Sequence, residues 1–265
     1  MAYETIRWES SEHGVGRLTL DRPESLNAWT EQLGRDLGAV LAGEAADPSV
    51  RAVLITGAGR GFSSGADLRA AFEPSPDDGL PNLRKALKEV YNPVIVAIRE
   101  LPKPVVAAVN GPAAGIGCSL AMACDLVLVA ESAFLRLAFI GIGLVPDGGS
   151  TVFVPARAGK ARAAEMTMLG ERVSAAQALE WGLVNAVHPD DALVAEAEAL
   201  TTRLAAGPTH AHAASKRLLN AALYPHLRDQ LDLEAELQHE LTRTTDFVEG
   251  VTAFAEKRPP AFRGA

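Results

Sequence analysis

The chain has 265 residues, 48% of them hydrophobic and 22% charged, ordinary values for a soluble domain long enough to bury a real core. Its net charge of -8, with no basic cluster, argues against nucleic acid and against an anionic membrane surface. Cys118 and Cys124 are the only cysteines and lie six positions apart in one apolar stretch, which fits buried free thiols in a reducing cytoplasm.

The N-terminal MAYETIRWESSEHG is polar and acidic, so no secretory signal is expected there. Ile6 to Glu9 and Val15 to Leu20 read as two strands around the His13-Gly14 turn, the second alternating apolar and polar residues. Asp21 to Thr30 (DRPESLNAWT) is a proline-bearing loop that feeds a helix from Glu31 to Gly43, and Asp47-Pro48 ends that helix. Arg51 to Thr56 is strand-like, Gly57 to Gly65 (GAGRGFSSG) is a glycine-rich loop, and ADLRAAF from Ala66 reads as helix. Ala70 to Gly79, with two prolines and three acids, is expected to be a mobile flap. A helix over Leu83 to Leu101, interrupted at Pro93, leads into the most distinctive stretch of the chain.

That stretch is Pro104 to Cys124, PVVAAVNGPAAGIGCSLAMAC, which carries no charge. Its first part is β-branched, as a strand buried on both faces should be, and its last part is rich in Ala, Leu and Met, which favour helix. Asn110, Gly111 and Pro112 with two further glycines break the run, so a buried strand and helix is favoured over a membrane span. Asp125 to Ala130 reads as another strand, Phe134 to Ile142 is mixed, and Gly143 to Ser150 (GLVPDGGS) is a turn. Beyond it the chain is mostly helical: Ala161 to Leu169, then Ser174 to Trp181 with a Ser174-Gln177 capping box and a stop at Gly182. A short strand, Leu183 to Val187, precedes helices over Asp191 to Ala206, Thr209 to Leu223, Arg228 to Thr245 and Asp246 to Lys257.

Two strand-glycine-helix units therefore occur, ending at Ala66 and at Ile116. The first turn of a helix has backbone N–H groups without partners and the positive end of the dipole, and glycines let a substrate approach them. Two such donors from separate units can face one oxygen. Other motifs weigh less. Gly61 to Gly65 fits the GxSxG pattern of a serine hydrolase around Ser63, but it arrives early in the chain, and nothing singles out His188 or His210 as its partner. GAGRG and GPAAGIG lack the spacing of a dinucleotide fingerprint. His210-Ala211-His212 is not part of a metal-ligand cluster, so no metal is expected. On local grounds Asp147 reads as a turn residue, Ser119 as a helix-face hydroxyl and Phe139 as a core aromatic.

Taken together, DRPESLNAW, RAVLITGAGRGFSSGADL, KPVVAAVNGPAAGIGCSLAMACDLVLVA, IGLVPDGGSTVFVPARAGKARAAEMTMLG, SAAQALEWGLVNAV and EGVTAFAEKRPPAF resemble the crotonase, or enoyl-CoA hydratase/isomerase, superfamily over nearly the whole chain. The resemblance implies an α/β fold: a spiral of strand-strand-helix units over residues 1–200, with CoA and the active site, and a helical region over 201–265 that forms trimers or dimers of trimers. It implies that the N–H groups of Ala66 and Ile116 grip the thioester carbonyl of an acyl-CoA. It further implies CoA contacts at Leu26, Ala28, Ser64, Asp67 and Leu68, with Arg69 near phosphate, while Phe254 and Lys257 complete the pocket of a neighbouring subunit. No cofactor is implied beyond the coenzyme A of the substrate. The two glutamates of authentic hydratases fall on Ser119 and Phe139, lining positions that cannot act as general acids, which places plain hydration in doubt. LVPDGG puts Asp147 where the isomerase branch has its acid, and this segment with WGLVNAV looks most like the 1,2-epoxyphenylacetyl-CoA isomerase group. The expected activity is acyl-CoA isomerisation. A generic hydratase and an acyl-CoA-binding protein of little turnover are the alternatives.

Overall fold

Runs of β-branched residues set the main sheet. The computed structural model describes residues 3–69, 73–76 and 78–265. The strands are β1 (Ile6–Ser10), β2 (Val15–Leu20), β3 (Ala52–Gly57), β4 (Val105–Val109), β5 (Ala113–Ala114), β6 (Leu126–Ala130), β7 (Phe134–Arg136), β8 (Val173–Ser174) and β9 (Ala186–His188). The helices are α1 (Glu31–Ala42), α2 (Leu83–Ala86), α3 (Asn92–Glu100), α4 (Ile116–Ala123), α5 (Ser150–Leu169), α6 (Ala175–Glu180), α7 (Leu193–Ala206), α8 (Thr209–Leu223), α9 (Leu227–Leu241) and α10 (Thr245–Glu256). Among the described residues none is long and apolar enough to cross a membrane.

Six strands pair in the order β1-β2-β3-β4-β6-β9, antiparallel only between β1 and β2. Every residue of β3 and β4 is buried, which explains their continuous apolar sequences in place of alternation. A second, shorter set of pairings runs alongside. Trp29 bridges Ala66 and Ser63 bridges Ala113, while β5 pairs with β7 and β7 with β8. Each turn of the chain thus gives one strand to the large sheet and one short extended segment to the second. β2 is followed by the Trp29 segment, β3 by 63–66, β4 by β5 and β6 by β7. This is the strand-strand-helix spiral, closed by helices at the C-terminal end.

Several elements differ from expectation. Pro93 does not break the helix before β4; the chain absorbs it in one wide turn, Leu87–Tyr91, where the Asn92 N–H reaches back five residues to the Leu87 carbonyl. α5 begins at Ser150, well before Ala161, and runs across Pro155 and a non-helical Gly159. The strand expected from Leu183 begins at Ala186, because the Leu183 N–H closes α6 on the Ala178 carbonyl at 2.9 Å. Of the expected flap, residues 70–72 and 77 lie outside the described residues. The remainder folds into a tight turn in which Ser75 N–H donates to Leu80 O at 2.7 Å, ahead of an Asn82 cap on α2. Both cysteines are buried and free, and burial pushes their thiols up to about 12.

Candidate active site

The two glycine-rich turns after β3 and β4 stack on one another. Asn27, from the DRPESLNAW segment, pins the first: its amide donates to Ala58 O at 2.9 Å and Gly61 O at 2.8 Å, and accepts from Arg22 N–H at 2.9 Å. Ser63 N–H donates to Pro112 O and Ala114 N–H to Ser63 O, at 3.0 and 2.9 Å. Gly65 and Gly115 then meet, with φ of +96° and +52°. A Cβ on Gly65 would lie 3.0 Å from the Ala114 carbonyl oxygen, so this approach needs glycine twice over.

The residues that follow these glycines are Ala66 and Ile116. Trp29 bonds the N–H of Asp67 and the carbonyl of Gly65, a parallel pattern that turns the N–H of Ala66 to the opposite side. Ile116 is the first residue of α4, so its N–H has no acceptor in the helix. Among the described residues neither amide has a hydrogen-bonding partner. Both residues line one cavity of about 190 Å³.

Asp147 lines the same cavity. Its backbone carbonyl is fixed by the hydroxyls of Ser119 and Ser150 at 2.7 and 2.9 Å. Oδ2 accepts from Gln238 Nε2 at 2.8 Å, whereas Oδ1 is buried with no partner. Burial, and then the negative charge of Glu234, push the carboxyl up to about 8 against the opposing Gln238 hydrogen bond. Glu234 is buried behind the turn, where it accepts from Gly149 N–H at 2.8 Å, Thr151 N–H at 3.3 Å and the Thr151 hydroxyl. Its carboxyl is raised to about 7, chiefly by burial.

Seven residues singled out in the sequence lie on the cavity wall: Ser64, Ala66, Leu68, Ile116, Phe139, Asp147 and Phe254. Leu26, Ala28, Asp67 and Arg69 lie off it. The Leu26 carbonyl accepts from Ser64 N–H at 2.9 Å, and Ala28 is buried next to the bridging Trp29. Asp67 pairs with Arg22 and Arg69 at 3.3 and 3.1 Å; burial works to raise its carboxyl, but these hydrogen bonds outweigh it and hold the group below the usual range. The Arg69 guanidinium is largely exposed.

One expectation is corrected. Ser119 does not line the cavity: it is fully buried and spends its hydroxyl on the Asp147 carbonyl. Phe254 lines this chain's own cavity, where α10 packs on residues 138–142. Lys257 lies beyond it, capping α10 in the left-handed conformation. The serine-hydrolase alternative also fails, since Ser63 is fully buried and donates to the Asn27 carbonyl at 2.9 Å, with no histidine beside it. Tyr91, Glu234 and Gln238 escaped the sequence reading. The last two had a signal: Leu231, Glu234, Ala235 and Gln238 fall on one helical stripe that should have been apolar throughout.

The spiral fold thus brings Ala66 and Ile116, whose N–H groups have no partner among the described residues, and the buried carboxyl of Asp147 to one largely apolar pocket. A sequence profile described as enoyl-CoA hydratase/isomerase matches residues 10–265. A probable enoyl-CoA hydratase of Rhodobacter capsulatus is 45% identical over 264 residues, covering 100% of both chains. The 1,2-epoxyphenylacetyl-CoA isomerase of Escherichia coli is 42% identical over 253 residues, 96% of each chain. The crystal structure of an enoyl-CoA hydratase from Mycobacterium avium subsp. paratuberculosis superposes with a TM-score of 0.89 at 43% identity, covering 99% of this chain and 100% of that one. The chain belongs to the enoyl-CoA hydratase/isomerase family of the crotonase superfamily, whose members act on acyl-CoA thioesters.

Proposed function

We propose that the protein is an acyl-CoA isomerase. The thioester carbonyl oxygen sits between the N–H groups of Ala66 and Ile116, which stabilise the negative charge that develops on it. A donor of this kind is worth about 3 kcal/mol in the transition state. With a 3-enoyl thioester, ionised Asp147 takes a proton from C2, the electrons move onto the carbonyl oxygen as an enolate, and the same carboxyl returns the proton to C4. The double bond moves from C3–C4 to C2–C3, and the enzyme ends as it began. One carboxyl suffices for this sequence, whereas hydration needs water positioned and protonated together.

The observation that carries the reading is Asp147, a carboxyl on the cavity wall whose Oδ1 is buried with no hydrogen-bond partner among the described residues. Ser119 and Phe139 stand where the resemblance puts the two hydratase glutamates, and among the described residues Asp147 is the one acidic side chain on the wall. The name of the Rhodobacter relative supports hydration as the rival. The test compares the 3-enoyl-CoA double-bond shift with crotonyl-CoA hydration in the wild type and Asp147→Asn. The shift should be the faster wild-type reaction, and the substitution should slow it about a hundred- to ten-thousandfold. Full activity in the Asn variant would remove Asp147 from the mechanism, and faster hydration would favour the rival.

A further inference from the structure

Across the cavity stands a group that the proton transfer does not use. Tyr91 is 4% exposed and lines the wall, and its ring packs edge-on against Trp29, with centroids 5.2 Å apart. Its backbone ends the wide helical turn Leu87–Tyr91, and the next side chain, Asn92, is tied to the Leu231 carbonyl of α9 at 3.2 Å. The ring is therefore held from two sides. Yet among the described residues its hydroxyl has no hydrogen-bonding partner.

Buried tyrosine hydroxyls usually find a partner. Tyr91 and Asp147 line the same cavity. Burial and the Asp147 charge both push the phenol's ionisation upward, so it remains a proton-bearing donor. Leu83, Leu87, Phe139 and Phe254 make much of the wall apolar, and Ser64, Arg136 and Gln238 are its other polar side chains. A cavity of about 150 Å³ with apolar walls accepts a benzene ring, and this one measures about 190 Å³.

Resting on the reading that this cavity takes the acyl group of a CoA thioester, we infer that Tyr91 selects the substrate. Its hydroxyl donates a hydrogen bond to an oxygen on a ring-sized acyl group. The favoured substrate class is then acyl-CoA thioesters with a cyclic acyl group and one acceptor oxygen, ahead of plain straight chains. A pocket built to bond a substrate oxygen discriminates strongly against an analogue that lacks it, because the pocket's own polar group is then stranded.

Calorimetric titration of the full chain with phenylacetyl-CoA and its 2-, 3- and 4-hydroxy forms tests this without requiring turnover. In the wild type at least one hydroxy form should bind about tenfold more tightly than phenylacetyl-CoA, and in Tyr91→Phe that ratio should fall to about one. The unliganded variant should melt close to the wild-type temperature, since it loses a hydroxyl that has no protein partner among the described residues and keeps the ring. An unchanged ratio, or one near unity in the wild type, would overturn the inference while leaving the acyl-CoA reading intact. Failure of all four thioesters to bind the wild type would overturn both.

Discussion

At the scale of the residue, folding disfavours the ionised form of Asp147. Its carboxyl sits near 8 in the folded chain and near the ordinary 3.9 when unfolded. Between those values the unfolded chain has released a proton that the folded chain retains, so stability is fully present below about pH 4 and is lost as pH rises toward 8. Each unit of that window costs about 1.4 kcal/mol. Asp147→Asn should therefore be more stable than the wild type at pH 8 by denaturant titration and little different at pH 4, even as it loses catalysis. Equal stability at both pH values would contradict the raised carboxyl. For catalysis the base form is needed, so kcat/KM should climb with pH through an apparent pKa near 8. Glu234 contributes to that value by its charge, and Glu234→Gln should move the limb to lower pH; a limb that stayed in place would leave burial as the sole cause.

At the scale of the element, legibility followed locality. β3, β4 and α8 carry their own propensities and boundaries, and the glycines before Ala66 and Ile116 announce the two turns in the sequence. α5 does not announce itself. It starts at Gly149 in the left-handed region with no cap of its own; the acceptor for its first N–H groups is Glu234, from α9 far along the chain. An acid at a helix start is favourable, but no local pattern can display one that arrives from another helix. Tyr91 was hidden for a related reason: Pro93 signals a break, and the wide turn that avoids one is what carries Tyr91 and Leu87 onto the cavity wall together. The stacked turns make a prediction of their own. Gly65→Ala places a Cβ 3.0 Å from Ala114 O at a φ of +96°, so the turns must separate, which would disrupt the oxyanion site proposed for the Ala66 and Ile116 amides. Turnover should fall about a hundred- to a thousandfold, as for loss of one oxyanion donor, with the far-UV circular dichroism retained. A folded variant of full activity would show that this contact does not hold the amides.

At the scale of the whole molecule, the spiral buries its sheet thoroughly but leaves its last helices incompletely covered. α8 buries only Lys216 of its fifteen residues, and that lysine is spent on Asp125 at 2.8 Å and on the Ile98 carbonyl at 2.7 Å. Leu218, Leu219 and Leu223 of α8 are 72%, 56% and 48% exposed, and α9 adds Leu233 and Leu237. Apolar area left in water forgoes about 25 cal/mol per Å², so several leucines on neighbouring helices favour association with further copies. The trimer implied by the resemblance is the expected assembly: sedimentation equilibrium should give close to three times the 27.9 kDa chain mass. Leu218→Glu with Leu219→Glu should yield monomers, because burying those charges at an interface is costly. Phe254 already lines its own chain's cavity, so these monomers should still bind an acyl-CoA, with an affinity near that of the assembly. A monomeric wild type would remove the assembly altogether. Dissociation with complete loss of binding would instead mean that a neighbour supplies part of the pocket, and the placement of α10 over its own cavity would not be sufficient to hold a thioester.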